Sequence, residues 1–173
     1  MTITMDAQSR VEPPTVADER TLLNGFLDYH RDTLAWKCSG LSDEQLKLRS
    51  VEPSGMSLLG MLRHLTEVER GWFGGVIGGE EMPPLYYDDA DQDGDWNRLD
   101  SLGATEVFEA WQAACARSRE IAAARELDFE GTHRRGGSFS LRWVLLHMIE
   151  EYARHNGHAD LLRERIDGGA LGE

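Results

Sequence analysis

Apolar residues recur at three- and four-residue spacing in several long blocks of this chain, and that spacing constrains the fold more than any other feature. In the first block, from residue 17 to about residue 37, the spacing is carried by Leu22, Leu23, Phe26, Leu27, Leu34 and Ala35. Such spacing places apolar side chains along one face of an amphipathic helix. No block alternates at every second residue as a half-buried strand would. The pattern predicts an all-α fold.

Capping and helix-breaking residues delimit the remaining predicted helices. Three long ones run from Ser57 to the glycines at 74 and 75, from about Thr105 to just before Leu127, and from Ser138 or Ser140 to the glycines at 168 and 169. Serine side chains accept hydrogen bonds from first-turn amides, and glycine ends helices. A short helical turn is predicted over residues 42–48. Four long helices, with a long loop between the second and third, predict a four-helix bundle.

The N-terminal residues differ from the rest of the chain. Residues 1–16 are polar, contain Pro13 and Pro14 and show no periodicity, so we expect a flexible lead-in segment. Residues 17–173 are then one bundle domain. A chain of 173 residues can bury a core without a disulfide or a structural metal. Any metal is therefore expected to serve function more than folding.

The charge and the cysteines restrict the partners and the compartment. The net charge is -13, from 31 acidic and 18 basic residues, and it would repel phosphate backbones. No stretch approaches the roughly 20 apolar residues of a membrane span. Cys38 and Cys115 form neither a CxxC pair nor a disulfide framework, and neither is assigned a role. We therefore expect a cytoplasmic protein without nucleic-acid or membrane partners.

The fourth predicted helix carries the densest chemistry. His147, Glu151 and His155 are spaced four residues apart, and His158 follows three residues later, so they share one helical stripe. A Glu/His pair at this spacing offers a carboxylate oxygen and an imidazole nitrogen to one divalent cation. His64, in the middle of the second helix, is the natural third ligand. The alternative is that these histidines are fillers of a half-exposed helix face.

An internal repeat offers a rival ligand. The second and fourth helices begin alike, with a histidine seven residues after Ser57 and after Ser140, and this pairs His147 with His64. We rank His147 second as a ligand.

Three further side chains near the predicted ligands are candidates for supporting roles. Arg154 and His158 flank His155 and could orient it or bind substrate. Glu67 follows His64 by three residues and could act as a base or a hydrogen-bond acceptor. All three equally fit a solvated helix face, and no catalytic residue is assigned.

An acidic segment from Asp89 to Asp100 follows the order of oxygen ligands in a calcium-binding EF-hand, with Gly94 at the turn position. Its context differs, because prolines precede it, Trp96 holds the eighth position, and Asp replaces the usual Glu at the twelfth. A calcium site therefore stays an alternative. We favour a solvated acidic loop near the mouth of the bundle, with aromatic side chains packing around it: Trp72, Tyr86, Tyr87 and Trp96.

The segments LRHLTEVERGWF and HMIEEYARHNGHADLLRE resemble the DinB/YfiT-like metalloenzyme superfamily, and the match extends from about Ala17 over nearly the whole chain. The resemblance implies a four-helix bundle that binds zinc or nickel through one histidine of the second helix and two ligands of the fourth. In this sequence these are His64, Glu151 and His155. Many relatives have histidine at the position of Glu151; glutamate there is similar to the mycothiol-dependent maleylpyruvate isomerase branch.

The resemblance also implies a function. We expect a divalent-metal-dependent enzyme acting on a small molecule: a thiol S-transferase or isomerase whose metal activates a low-molecular-weight thiol such as mycothiol or bacillithiol. The electrophile would be held by the acidic loop and nearby arginines. A metal-dependent hydrolase and a non-catalytic ligand-binding or stress-response protein are the alternatives. A homodimer is implied by the same resemblance.

Overall fold

The computed structural model describes residues 10–169 and is mostly helical. Its helices are α1 (Glu19–Cys38), α2 (Asp43–Lys47), α3 (Leu58–Glu69), α4 (Gly94–Asn97), α5 (Ala104–Ala123) and α6 (Leu141–Asp167). A π-helical segment (Arg70–Ile77) continues α3, and two short strands, β1 (Glu130–Thr132) and β2 (Ser138–Ser140), precede α6. The predicted lead-in and the predicted domain include residues 1–9 and 170–173, which lie outside the described residues.

The starts of four helices are fixed by side-chain caps. The capping residues are Asp18, Ser42, Ser57 and Ser140, each of which accepts a hydrogen bond from a first-turn backbone N–H. Of the two serines that the sequence offered for α6, Ser138 lies instead in β2. At the other end of α6, Gly168 adopts φ 71°, the left-handed conformation that glycine tolerates best. The predicted starts of the second helix and of the short helix are therefore confirmed.

The long helices pack in pairs around one core. α1 lies along α6, α3 lies along α5, and α3 also contacts α6. Nearly all of α3 is buried, including Leu58, Leu62 and Leu65, which are fully enclosed. The central position of α3 lets one of its side chains meet residues of α6. Phe26, expected on the apolar face of α1, is instead 46% exposed.

The second long helix changes its type before it ends. The sequence predicted one helix as far as the glycines at 74 and 75, but the α-helix gives way to a π-helix at Arg70, which continues to Ile77. At its end the Gly78 N–H donates to the Phe73 carbonyl at 2.7 Å, a bond that spans five residues. A Cβ added to Gly74 would lie 2.6 Å from Met82 Cε, so a larger residue here would require the Met82 side chain to move.

The antiparallel hairpin of β1 and β2 departs from the predicted all-α fold. Gly131 pairs with Phe139, and the hairpin packs on the π-helical segment. A Cβ on Gly131 would lie only 2.0 Å from the Val76 carbonyl oxygen. Strands of three residues are too short to show an alternating pattern, which is why the sequence did not indicate them.

The other global features agree with the composition. None of the helices in residues 10–169 is long and apolar enough to cross a membrane. Cys38 and Cys115 are both buried and unoxidised. Burial raises the pKa of the Cys38 thiol to about 12, so this sulfur is protonated at neutral pH and unsuited to nucleophilic attack.

Candidate metal centre

Three side chains predicted to bind metal converge between α3 and α6. The Nε2 atom of His64 lies 3.2 Å from Glu151 Oε1, and His155 Nε2 lies 3.3 Å from the same oxygen. One donor atom from each residue falls within 4.8 Å of the other two. The i, i+4 spacing on α6 places Glu151 and His155 on one face, and the contact between the helices brings His64 opposite them.

A fourth residue, Asp95 of α4, orients His64. Its Oδ2 atom accepts a hydrogen bond from His64 Nδ1 at 2.9 Å, and the carboxylate is buried. Because Nδ1 carries the donated hydrogen, Nε2 is the nitrogen turned towards Glu151. The sequence had singled out Asp95 only as a position of the EF-hand pattern. Its hydrogen bond to His64 joins two separate elements, α4 and α3, so no helical spacing in the sequence indicates it.

The charges of this group are strongly coupled. Burial lowers the pKa of His64, but hydrogen bonds and charge interactions with Asp95 and Glu151 outweigh burial and raise it to about 9. The hydrogen bonds of His155 and His64 hold the pKa of the Glu151 carboxyl far below its usual range. At neutral pH the metal-free site therefore contains a Glu151 carboxylate and a His64 imidazolium, and a metal ion would have to displace the Nε2 proton.

The donor set fits a divalent transition metal. Two imidazole nitrogens and one carboxylate oxygen are the ligands of many catalytic zinc sites, which keep one position open. His155 is 7% exposed, and its Nδ1 has no hydrogen-bond partner among the described residues, so its polar contact is with Glu151. Within residues 10–169 no other group of three His, Cys, Asp or Glu donors comes together in this way.

Trp96 covers the two histidines. Its ring centroid lies 5.1 Å from that of His64 and 5.9 Å from that of His155. The indole also packs against α3 at Gly60, where an added Cβ would lie 2.9 Å from Trp96 Cε3. The absence of a side chain at Gly60 therefore lets the indole reach the histidines.

A cavity of about 330 Å³ opens beside His64. Its wall includes rings and carboxylates from α3, the π-helical segment and the loop before α5, among them Trp72, Tyr87, Asp93, Asp95 and Trp96. The volume is at the lower end of the range for small-molecule sites. Residues of the acidic loop, Asp93, Asp95 and Trp96, thus form part of the cavity wall.

His147 and Arg154, the second-choice residues on the exposed side of α6, lie apart from the three donors. His147 stacks on Trp143, with centroids 4.9 Å apart and ring planes 18° apart, and its Nδ1 lies 3.7 Å from Glu150. The Arg154 side chain is 64% exposed and lies 3.9 Å from Glu150. Arg154 therefore interacts with solvent and with its own helix, whereas His147 also packs against Trp72 of the π-helical segment, with centroids 4.8 Å apart.

The other two second-choice residues are closer to the site. Glu67 Oε1 accepts the backbone N–H groups of Leu85 at 2.6 Å and Tyr86 at 2.7 Å, which ties the loop to α3. The ring of His158 lies 5.5 Å from that of His155. Glu67 is therefore already occupied in anchoring the cavity wall.

The acidic loop uses its carboxylates separately. Asp88 forms two hydrogen bonds with Arg98, at 2.7 and 2.8 Å. Asp95 binds His64, and Asp100 accepts from Lys47 at 2.8 Å. These carboxylates do not gather around one point in the described chain, so the structure offers no support for the calcium alternative.

A buried polar network that the sequence did not indicate lies behind the site. Glu69 is fully buried and accepts two hydrogen bonds from Arg31, both at 2.8 Å. The Tyr152 hydroxyl donates to Glu69 at 2.8 Å and accepts from Trp111 Nε1 at 2.9 Å. Because Tyr152 directly follows Glu151, this network holds α6 in the rotation that turns Glu151 towards His64.

Comparison with known proteins identifies a family and a similar fold. A family model described as mycothiol-S-transferase matches residues 22–168. A crystal structure of the mycothiol-dependent maleylpyruvate isomerase, in a histidine-to-alanine mutant, is similar in fold, with a TM-score of 0.55 and 12% sequence identity. The alignment covers 78% of this chain and 59% of that one, so the present chain spans about three fifths of its length. No curated protein matches.

Proposed function

Because the chain belongs to the mycothiol-S-transferase family of DinB-like proteins, we propose that it is a metal-dependent enzyme that transfers the thiol of mycothiol to a small electrophile. The observation that carries this proposal is the convergence of His64, Glu151 and His155 beside a cavity. A site of three protein ligands leaves a position for a further ligand, and the cavity leaves room for a second reactant.

The proposal includes the architecture of the domain. The pairing of α1 with α6 and of α3 with α5 supports a four-helix bundle of the DinB-like type. A single domain over residues 17–173 would follow an N-terminal lead-in of residues 1–16. In the described part of that lead-in, Arg10 lies over the ring of Trp36, 4.4 Å from its centroid.

His64, Glu151 and His155 would hold a zinc or nickel ion. When bound, such an ion supplies a Lewis acid that favours the thiolate form of a coordinated thiol at neutral pH. Asp95 keeps Nδ1 of His64 protonated and its Nε2 directed at the site. Trp96 covers the histidines and excludes water from that side.

The cavity favours transfer to an electrophile over isomerisation of an organic dianion. The isomerase with the similar fold is named for maleylpyruvate, which carries carboxylates. Among the described residues no lysine or arginine lines the cavity of this chain. Arginine is the usual partner of a carboxylate substrate, so a carboxylate-rich substrate would lack its partner here.

Two further expectations belong to the proposal. Cys38 and Cys115 are free and buried, which favours a reducing compartment such as the cytoplasm. The superfamily resemblance implies a homodimer. Light scattering after size-exclusion chromatography measures that state directly.

The first experiment measures bound metal by elemental mass spectrometry on protein purified without an affinity tag. We expect about one zinc or nickel ion per chain, lost in His64→Ala and His155→Ala and kept in the His147→Ala control. The same proteins are then assayed for conjugation of mycothiol to a fluorogenic alkylating agent.

Each alternative predicts a different result. Turnover of an ester or amide without any thiol would indicate a hydrolase. A wild-type protein that binds no divalent ion after reconstitution would contradict the enzyme proposal and favour a non-catalytic binding protein.

A further inference from the structure

The wall of the cavity beside His64 combines aromatic rings with carboxylates. Trp72 and Tyr87 contribute rings, while Asp93 and Asp95 contribute carboxylates, and Glu67 lies on the same wall. In the described chain, histidine is the only basic residue type that lines it. Aromatic faces and carboxylates together are the surroundings in which proteins bind organic cations.

We propose that this cavity selects an electrophile with a positively charged group, such as a quaternary ammonium or pyridinium, and disfavours anionic electrophiles. The inference rests on the proposed transferase function, because it describes the second reactant of that enzyme. The positive group would lie beside Asp93, against the faces of Trp72 and Tyr87, with the reactive carbon towards His64.

Asp93 is the carboxylate available to such a group. Asp95 is buried and bound to His64, and Glu67 accepts two backbone N–H groups. Asp93 is exposed, and its carboxylate has no hydrogen bond or ion pair within residues 10–169. A cation in the cavity would therefore meet an anion that no other described side chain neutralises.

A bound divalent ion would not reverse the charge of this wall. Glu151 adds a fourth carboxylate to those of Glu67, Asp93 and Asp95 at the site. Arg63 and Arg70 offset part of the charge of Asp95 and Glu67, but Asp93 is not among the three candidate ligands. Its charge therefore remains available to a cation when the metal is bound.

The arginines near the cavity are turned away from it. Arg98 binds Asp88 through two hydrogen bonds, and Arg70 donates to the Pro83 carbonyl at 2.7 Å. Arg63 donates to the Gly94 carbonyl at 3.0 Å and lies over the ring of Tyr86. The expectation that nearby arginines hold the electrophile thus has no support from these three side chains.

The basic residue on the far wall is His133. Its ring packs against Trp72 with centroids 5.8 Å apart, and its Nδ1 accepts the backbone N–H of Arg135 at 3.1 Å. The imidazole therefore adds a further ring to the aromatic part of the wall.

The test measures binding of three ring compounds of similar size by isothermal titration calorimetry on the protein as purified. The probes are benzyltrimethylammonium, benzyl alcohol and benzenesulfonate, the last chosen because sulfonates are weak metal ligands. We expect the ammonium compound to bind at least tenfold more tightly than the alcohol, and the sulfonate to bind most weakly. Asp93→Asn should reduce the preference for the cation about fivefold or more.

Glu109→Gln is the matched control, since it removes the same charge from an exposed position on α5 that does not line the cavity. It should keep the full preference. Equal binding of the three probes, tighter binding of the sulfonate, or no binding of any probe would overturn the inference. So would an Asp93→Asn protein, folded by circular dichroism, that keeps the wild-type preference.

The two proposals fail in different ways. A protein that binds the ammonium probe through Asp93 but conjugates no thiol to any electrophile supports the cavity inference and contradicts the transferase function. A protein that conjugates mycothiol to neutral and anionic alkylating agents faster than to a cationic one supports the function and overturns the inference.

Discussion

Asp95 and His64 are 31 residues apart in the sequence, and their hydrogen bond defines the centre at the level of single atoms. Helical spacing together with the family resemblance predicted His64, Glu151 and His155, because ligands on helices obey a period. Asp95 lies in the four-residue helix α4 within a loop, and a helix of one turn is too short to show a period in the sequence. The sequence therefore predicted the three candidate donors but not Asp95, the residue that orients His64.

Replacing Asp95 by alanine should weaken metal binding about 10- to 100-fold, because His64 loses the acceptor that fixes its ring. Competition with a chromophoric chelator measures the affinity. Asp93→Asn removes a charge from the same loop without touching His64 and should leave the affinity within about threefold of wild type. Equal losses in both variants would mean that loop charge matters and orientation does not.

Gly60→Ala should displace Trp96, since the new methyl group would lie 2.9 Å from the indole. We expect a loss of about 1–3 kcal/mol in the free energy of unfolding and a changed Trp fluorescence spectrum. Gly157→Ala, on α6 with nothing within 4 Å of the added Cβ, makes the same change in open space and should gain about 0.5–1 kcal/mol. Urea denaturation of the two variants checks both signs.

At the scale of secondary structure, the sequence predicted the helices whose caps and apolar period agree. It did not predict the change from α- to π-helix at Arg70 or the hairpin before α6. Both features involve close tertiary contacts, of Gly74 with the Met82 side chain and of Gly131 with the backbone at Val76. Glycines in a sequence mark where such contacts are allowed and not which neighbour makes them.

The cap of α6 can be tested with two neighbouring serines. Ser140→Ala removes the acceptor of the Trp143 N–H and should cost about 1 kcal/mol of stability. Ser138→Ala changes an exposed residue of β2 and should cost less than about 0.5 kcal/mol. Thermal denaturation measures both losses of stability. A larger loss in the Ser138 variant would mean that Ser138, and not Ser140, caps the helix.

Glu69→Gln should lower the free energy of unfolding by about 3–5 kcal/mol at neutral pH, because the buried Arg31 would keep only the half-exposed Asp28 as an anionic partner. Burial raises the pKa of Glu69, but the Arg31 charge and the hydrogen bonds from Arg31, Ser118 and Tyr152 together outweigh burial and lower it below the usual 4.5. The stabilisation is therefore complete above pH 4.5 and is lost as the pH falls towards the folded-state pKa.

The stability difference between wild type and Glu69→Gln should accordingly shrink in acid, as urea denaturation across a pH series would show. Glu109→Gln, at an exposed position, should follow the wild type at every pH. A difference that stays constant down to pH 3 would contradict this account of the pair.

At the scale of the whole molecule, the hydrophobic core and the three candidate metal donors consist of different side chains. The core extends through all four long helices, with leucines of α3 and α6 fully enclosed. Composition and length predicted such a core without a metal. The sequence did not predict which helices pack together, because an amphipathic face does not identify the helix that it packs against.

Metal removal should therefore leave the chain folded but less stable. An ion held by His64 from α3 and by two residues of α6 binds only the folded state, so zinc at 100 times its dissociation constant should add about 2.7 kcal/mol. Thermal melts with zinc and with a chelator measure the shift. His64→Ala should melt identically in both, while His147→Ala should shift like the wild type.

A change in the loop that carries Asp95 and Trp96 would affect both the wall of the substrate cavity and the support of the candidate metal site. The three candidate metal donors come from two helices, whereas the groups that orient His64 and cover the histidines come from a four-residue helix in a loop. A chimaera that receives a relative's loop would exchange its substrate wall and, in the same step, alter the support of its metal. Only loops that keep the Asp–Trp pair at the spacing of residues 95 and 96 should be interchangeable.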